Sequence, residues 1–428
     1  MLSSIPCLTL MNSVEKLLDH LPKADVEDLY AEAMALRTGN GGLANFALAH
    51  SLFCIAALMG KYSARYQLGL MNLRGEGRPK DKLRALMWFK LAQGRGAPRA
   101  AGNLKMVAAD LNRADIRQAY QMAAKFPEAE EAFRRSRRDD DIEAKVLLGE
   151  MLMQGRGVDR DPQLATAWLM RLLPYRHAAA QWQLGLSYLN GEGAEKNPEE
   201  GRRLLKQAAD QGHAGAQYDL ADLIFKQKGW AERPQAYVLL EAAAAQGHAL
   251  SQYRLAMLHK EGEAPLSESV TPTVVSRVAP SATSTATPAI SPRPTKRGTA
   301  PHSIRALAYL TQAAQQSHTE AQFELGQMYA QGLGTQQDFE QAAHWYLEAA
   351  QAGHAKAQFN LGFLYAHGQG VEQDYVKAFE WYRISDACGY QLAKEHAELI
   401  AKKLALDVKE IAQWRADSFM FRLNSEDR

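Results

Sequence analysis

Apolar and small residues along this chain follow one pattern that returns about every 36 residues. In the clearest unit, Ala321, Leu325, Gly326 and Tyr329 have the spacing of one face of an α-helix. Residues 342–350 carry a second such face, built from alanine, tryptophan and tyrosine. The leucines that mark the units are 35 or 36 residues apart on either side of one interruption: Leu148, Leu184, Leu220 and Leu255, then Leu325 and Leu361. A fixed period of this length predicts a helical repeat array.

Glycine pairs separate the two helices of each unit. Gly-x-Gly begins at residues 75, 155, 191, 332 and 368, and glycine suits a tight reversal because it accepts positive φ. A residue that favours the N-cap position of a helix follows each pair: Asp81, Asp161, Asn197, Asp338 and Asp374. Each unit is therefore predicted to be a helical hairpin.

Four of the seven tryptophans occupy one position of the repeat. Trp88, Trp168, Trp345 and Trp381 each lie 11 residues after the second glycine of a Gly-x-Gly pair. We expect these rings to face alanine and glycine on neighbouring helices and to form the core, and a ligand platform is the alternative. If Trp345 is fully buried, its truncation to alanine should cost about 3–5 kcal/mol.

The full pattern resembles a known repeat family. Ala-x-x-x-Leu-Gly-x-x-Tyr-x-x-Gly-x-Gly, followed by Ala-x-x-Trp-Tyr/Phe-x-x-Ala-Ala-x-x-Gly-His, is similar to the Sel-one-like repeat over roughly residues 60–394. That family is related to the tetratricopeptide repeat. The resemblance implies an all-α fold, an α/α solenoid of hairpins in a right-handed superhelix. It implies no particular activity, because the family is defined by its scaffold.

Breaks in the repeat predict the domain organisation. Two stretches that lack Gly-x-Gly, 100–126 and 392–421, are predicted to cap the ends of arrays. A Pro/Ser/Thr/Ala-rich run inside one unit is predicted to be disordered, because it cannot bury a core. The predicted segments are an N-terminal segment 1–23, a first array 24–126, a charged junction 127–143, a second array 144–421 containing the insertion 264–301, and a tail 422–428.

Composition limits the kinds of partner and compartment. The net charge of +2 gives no bulk attraction to nucleic acid, and no apolar run is long enough to span a membrane. The start of the chain lacks the basic and apolar regions of a signal peptide. Cys7, Cys54 and Cys388 are too few for the paired cysteines of the secreted branch of the family. We therefore expect a cytoplasmic protein, with a periplasmic one as the alternative.

Familiar catalytic and cofactor motifs are missing from the sequence. No dinucleotide fingerprint, phosphate-binding loop, His-Glu-x-x-His or Cys-x-x-Cys occurs. One histidine recurs at the junction before successive hairpins, and we interpret it as a helix-junction residue rather than a metal ligand: His213, His248, His318 and His354. We expect no catalytic residue, cofactor or metal, and hence a chain that is not an enzyme. A β-lactamase-like or other hydrolase and a structural subunit of a larger assembly are the alternatives.

The residue before each marker leucine varies from unit to unit, while the residues around it follow the repeat pattern. Such variation is typical of a polar groove for a protein or peptide on the concave face of a solenoid. The predicted partner-binding residues are Gln183, Asp219, Arg254, Glu324 and Asn360. The sequence thus predicts an interaction scaffold or adaptor, in a bacterial regulatory or complex-assembly role, whose oligomeric state is open.

Overall fold

The computed structural model describes residues 25–40, 43–93, 97, 99–137, 141–226, 233–264 and 301–426, and every regular element in them is helical. The predicted all-α class is confirmed. The chain forms two compact units, residues 1–216 and 217–427, which are described separately. In the first unit the α-helices are α1 Val26–Thr38, α2 Phe46–Leu58, α3 Tyr62–Arg74, α4 Lys82–Ala92, α5 Ala100–Ala109, α6 Arg113–Ala124, α7 Phe126–Ser136, α8 Ile142–Gln154, α9 Pro162–Met170, α10 Ala178–Asn190 and α11 Pro198–Asp210. The helix α12, Ala214–Lys226, contains the boundary, and the second unit continues with α13 Arg233–Ala245, α14 Ala249–Glu261, α15 Pro301–Gln315, α16 Thr319–Gln331, α17 Phe339–Gln351, α18 Ala355–His367, α19 Tyr375–Ala387, α20 Leu392–Ala401 and α21 Leu406–Glu426.

Glycine ends the first helix of a hairpin, and a capping side chain starts the second. Gly332 has φ 67°, and its N–H donates to the carbonyl of Met328 at the end of α16. Asp338 then accepts from the backbone N–H of Gln341 at 3.0 Å and caps α17. The other four predicted caps also accept backbone N–H groups: Asp81, Asp161, Asn197 and Asp374. The predicted helical hairpins are confirmed.

The two helices of a hairpin approach most closely at the glycine that follows the marker leucine. A Cβ atom added to Gly326 would lie 2.7 Å from the ring of Tyr346, and one added to Gly362 would lie 3.0 Å from the ring of Tyr382. In the first unit, Gly69 and Phe89 are in the same relation. The side chain that fills the space over the glycine is therefore the residue after the tryptophan position.

The tryptophans themselves are buried unequally. Trp88 is fully buried and Trp168 is 7% exposed, so both belong to the core as predicted. Trp345 and Trp381 are only partly buried. These two rings pack against core clusters but lack the full burial that was considered for Trp345, and in all four hairpins the residue after the tryptophan takes the place over the glycine.

Buried glutamines connect the two helices of one hairpin. In the hairpins that begin with α10, α12 and α14, a glutamine on the first helix accepts a hydrogen bond from a glutamine at the end of the following second helix. The bonds are Gln211 Nε2 to Gln181 Oε1, Gln246 Nε2 to Gln217 Oε1, and Gln316 Nε2 to Gln252 Oε1, at 2.5, 3.0 and 2.8 Å.

This arrangement is incomplete in the last two hairpins. Gln322 and Gln358 occupy the acceptor position, but Ala352 and Cys388 stand where the donor glutamine would be. The Oε1 atoms of Gln322 and Gln358 are buried and accept no hydrogen bond within the described residues. A buried acceptor without a donor lowers stability.

In the first unit, α7 packs between two tryptophans of the repeat. Phe126 contacts Trp88 edge to face at 5.4 Å between ring centroids, and Phe133 lies 5.9 Å from Trp168. One apolar cluster runs from Leu29 to Trp168 and includes these rings. The side chains on both sides of the predicted charged junction thus share a core.

Two pairs of helices outside the repeat pattern cover second helices of hairpins. Apolar side chains of α5 and α6 pack with those of α4 around Phe89. Side chains of α20 and α21 pack with those of α19 around Phe379 and Tyr382. These are the stretches that the sequence predicts as caps.

The predicted domain boundaries remain predictions. Residues 1–23 and nearly all of the insertion 264–301 lie outside the described residues. Where the sequence predicts a charged junction at 127–143, the structure contains most of α7, with an Arg135–Asp141 ion pair at 2.8 Å. At the other end, α21 continues to Glu426, past the predicted limit at residue 421.

Replacing Tyr346 by alanine should destabilise the second unit more than replacing Trp345. The Tyr346 ring is 3% exposed and fills the space over Gly326, so we expect a cost of about 3–5 kcal/mol. Urea unfolding of Tyr346→Ala and Trp345→Ala would measure the difference. Equal losses would contradict the packing described here.

Ala352→Gln should stabilise the protein by about 1 kcal/mol, because it supplies the donor that Gln322 Oε1 lacks. The matched control is Gln316→Ala, which removes such a donor from Gln252 and should cost about 1–3 kcal/mol. Urea unfolding of both variants tests the pair. If Ala352→Gln destabilises the protein, a glutamine at this position does not donate a hydrogen bond to Gln322 Oε1.

Candidate partner-binding surface

The five predicted partner-binding residues all lie on first helices of hairpins. Gln183 is in the first unit, on α10, and is 8% exposed. The other four are in the second unit and are partly buried: Asp219 on α12, Arg254 on α14, Glu324 on α16 and Asn360 on α18. Their shared position in the repeat is as expected, but none has the full exposure of an ordinary surface residue.

Three of these side chains are engaged within the second unit. Glu324 accepts from the ammonium group of Lys260. The guanidinium of Arg254 lies 5.7 Å from the centroid of the Phe225 ring. Burial raises the pKa of Tyr346 to about 12, and Asn360 hydrogen-bonds to its hydroxyl group. A partner would therefore meet side chains that are already held in position.

Gln183 lines a small cavity between α8 and α10. The cavity has a volume of about 170 Å³, and Met153, Trp182 and Leu186 provide its apolar wall. Ser187 and Asn190 add polar groups. Within the described residues the Oε1 atom of Gln183 is buried and accepts no hydrogen bond. The cavity thus combines an apolar wall with polar side chains.

The recurring histidines cap the first helices, as the sequence indicates. The Nδ1 atoms of His318 and His354 accept the backbone N–H groups of Ala321 and Ala357, both at 3.1 Å. Burial lowers the pKa of His318, which favours the neutral ring that such an acceptor requires. Among the described residues, no group of three or more His, Cys, Asp or Glu side chains is arranged to hold a metal ion.

Aromatic residues that the sequence analysis did not single out pack against these histidines. Each follows the buried glutamine position and contacts the histidine at the start of the next hairpin. Centroid distances are 4.8 Å for Trp182–His213, 5.3 Å for Tyr218–His248, 4.8 Å for Tyr253–His318 and 4.3 Å for Phe323–His354. The signal was available, since an aromatic residue recurs at this position.

A buried ionic cluster in the first unit was also missed. His50 on α2 is fully buried, and its Nε2 atom lies 2.8 Å from Oδ2 of Asp159, in the loop before α9. Ser51 donates to Asp161 at 2.6 Å, and Asn72 donates to Asp159 at 2.7 Å. These contacts join α2 to a loop that lies about a hundred residues later in the chain.

Electrostatics favour a charged histidine in this cluster. Burial and the guanidinium of Arg78 oppose the charge, yet Cys54 and the hydrogen bonds to Asp159 and Asp161 raise the pKa of His50 to about 10. Burial raises the pKa of Asp159 while the hydrogen bond from His50 lowers it, and the net result is well below the usual value. An imidazolium between two carboxylates is a structural ion network.

The same cluster has the residue types of a thiol catalytic site but not its chemistry. The Sγ atom of Cys54 lies 3.7 Å from Nδ1 of His50. Burial raises the pKa of Cys54, and its side chain is 0% exposed. A protonated histidine takes no proton from the thiol, and a buried neutral thiol is a poor nucleophile.

The stability of the first unit should fall as the pH rises. The pKa of His50 in the folded protein is above the unfolded value of about 6.5. Its contribution is therefore fully present below about pH 6.5 and is lost as the pH approaches about 10. Urea unfolding at pH 6, 7.5 and 9 should show a loss on the order of a few kcal/mol.

The double variant His50→Asn with Asp159→Asn should flatten this dependence, because it removes one charge of each sign from the cluster. His354→Asn, which changes a capping histidine of the second unit, should leave it intact. An unchanged slope in the double variant would show that another group titrates.

Comparison with known proteins agrees with this architecture. The Sel1 repeat matches residues 29–61, 63–92, 142–169, 178–213, 214–248, 249–268, 303–318, 319–354 and 355–385, which together make up more than half of the chain. The chain belongs to the Sel1 repeat family. The resemblance inferred from the sequence is confirmed. No curated protein matches the chain.

The chain also matches solved structures at low sequence identity and with TM-scores below 0.5. A protective antigen of uropathogenic Escherichia coli strains, described as having an SLR fold, is 24% identical, with 96% of this chain and 95% of that chain covered and a TM-score of 0.42. A Sel1 repeat protein from Oxalobacter formigenes is 24% identical, with 62% and 96% covered and a TM-score of 0.43. An immunity protein from Pseudomonas aeruginosa is 16% identical, with 65% and 84% covered and a TM-score of 0.33. These likenesses concern the fold alone.

Proposed function

We propose that this Sel1 repeat chain is a non-enzymatic scaffold that binds a protein or peptide partner along the first helices of its hairpins. Its role would be that of an adaptor in bacterial regulation or complex assembly. The observation that carries the proposal is the cavity at Gln183, where an apolar wall of Met153, Trp182 and Leu186 lies beside the polar side chains of Gln183, Ser187 and Asn190. A peptide can place an apolar side chain against that wall and its own polar groups against these side chains.

The other four predicted residues lie in the second unit. Asp219, Arg254, Glu324 and Asn360 recur at the position of Gln183 in later hairpins. Side chains that contacts within the protein already hold in place lose little conformational freedom on binding, which favours their use as contacts with a partner. We propose that they select the partner through polar contacts.

The proposed compartment is the cytoplasm, with the periplasm as the alternative. The thiols of Cys54 and Cys388 are free, as expected in a reducing environment. Among the described helices, none combines the length and apolar character needed to cross a membrane.

Gln183→Met should weaken partner binding while keeping the size of the side chain. Partners are captured by cross-linking to the full chain in the native organism and are identified by mass spectrometry. Each candidate is then purified, and its Kd is measured for the wild type and the variant. Loss of a hydrogen bond to a buried acceptor should raise Kd about fivefold to thirtyfold.

Gln341→Met is the matched control, because Gln341 is an exposed residue of α17 outside this surface. It should leave Kd unchanged. A purified partner that binds wild type and Gln183→Met equally would place the contact elsewhere. Turnover of the β-lactam nitrocefin by the purified chain would support the hydrolase alternative instead.

A further inference from the structure

A concave surface of the second unit lies beside the C-terminal helix. It is a groove of about 810 Å³ between α21 on one side and α17, α18 and α19 on the other. On α21 its lining extends from Trp414 to Leu423. At about 1.5 Å per residue, this edge is roughly 14 Å long, the length of about four residues of extended peptide. None of the five residues of the proposed partner surface lines it.

Aromatic side chains form the apolar part of this groove. Trp381 packs edge to face against Phe419 at 5.4 Å, which fixes both rings between α19 and α21. Trp414 also lines the groove and is 69% exposed. Since an exposed ring contributes little to the core, this tryptophan is available to a ligand. Tryptophan and arginine are the residues that most often dominate binding energy at interfaces.

Positive charge predominates in the lining. Lys377, Arg415, Arg422 and the acid Glu380 line the groove, and Arg422 takes part in a further interaction within the chain. Arg415 pairs with Glu380 at 3.3 Å and Lys377 with Asp374 at 3.6 Å; both cationic side chains are more than half exposed, whereas Glu380 is 17% exposed. Because a guanidinium has five N–H donors, the exposed Arg415 can bind a ligand carboxylate while it keeps its bond to Glu380. Arginine binds carboxylates with two parallel hydrogen bonds.

We propose that this groove binds a short acidic peptide segment of a partner protein. An apolar side chain of the peptide would lie against Trp381 and Trp414, and its carboxylates would bind Arg415 and Arg422. The inference rests on the proposed scaffold function, since it names the chemistry of a partner. It uses a separate surface, so it can fail while binding at Gln183 stands.

The test is a selection of random twelve-residue peptides displayed on phage, with the full chain as bait. Peptides enriched on the wild type should combine Asp or Glu with an aromatic or aliphatic residue. The best peptide is then synthesised and titrated by calorimetry. We expect Trp414→Ala and Arg422→Glu each to weaken binding about tenfold or more. Raising the salt concentration from 0.05 to 0.5 M should also weaken it.

Phe421→Ala is the matched control. Phe421 is an aromatic residue of the same helix, is 77% exposed and does not line the groove. It should bind the peptide as the wild type does. Circular dichroism of each variant confirms that the helices are intact, which Trp414→Ala should satisfy because its ring is largely exposed.

Several outcomes would overturn the proposal. These are no enrichment, enriched peptides without acids, or peptides whose binding depends on Gln183 and not on Trp414. Light scattering that shows a dimer lost in Trp414→Ala would assign the groove to a second copy of this chain. Sedimentation with anionic phosphatidylserine vesicles that depends on Trp414 would assign it to a lipid surface.

Discussion

The close approach of two helices at a glycine determines the geometry of the hairpins. At Gly326 and Gly362, a tyrosine ring of the second helix lies where a Cβ atom would otherwise be. At Gly149, the side chain of Leu169 has the same role. A larger residue at these glycines would push the helices apart, because the neighbouring ring has little freedom to move. The spacing of the helices therefore depends on one missing side chain in each hairpin.

The regular spacing brings the same side-chain contacts together in successive hairpins. A histidine caps its own helix and stacks on an aromatic residue of the preceding hairpin, as His354 does with Phe323. A buried glutamine accepts from the end of the second helix of its own hairpin, as Gln252 does from Gln316. Stability in such an array is a sum of repeats and their interfaces. The final hairpins lack the donor, which explains the unpaired acceptors of Gln322 and Gln358.

The sequence predicts those features that repeat. Gly332, Asp338 and His354 are each recognisable from spacing, and each has the position and role expected of it. Partial burial of Trp345 was not predictable from spacing, because a tryptophan and the tyrosine after it compete for one space over a glycine. The cavity at Gln183 depends on the distance between two helices of successive hairpins, which periodicity does not give.

The contact between His50 and Asp159 could not be predicted for a different reason. It joins residues 109 positions apart, and neither belongs to a position that recurs in the other hairpins. In the pattern of hydrophobic and polar positions, a buried histidine or aspartate looks the same as an exposed one. The pattern therefore does not reveal that these three residues are buried. Only the folded chain shows that these charges neutralise one another.

That contact also changes how the first unit is expected to fold. The ring contacts of the second unit join neighbouring hairpins and its glutamine pairs join the two helices of one hairpin, so such a unit can nucleate locally and grow. In the first unit, α2 must meet a loop that comes after α3–α8. The entropy of closing that long loop must be overcome before the ion network forms, and a higher contact order slows folding. The two halves of one repeat array should therefore differ in kinetics, with the N-terminal half slower to form and more cooperative once formed.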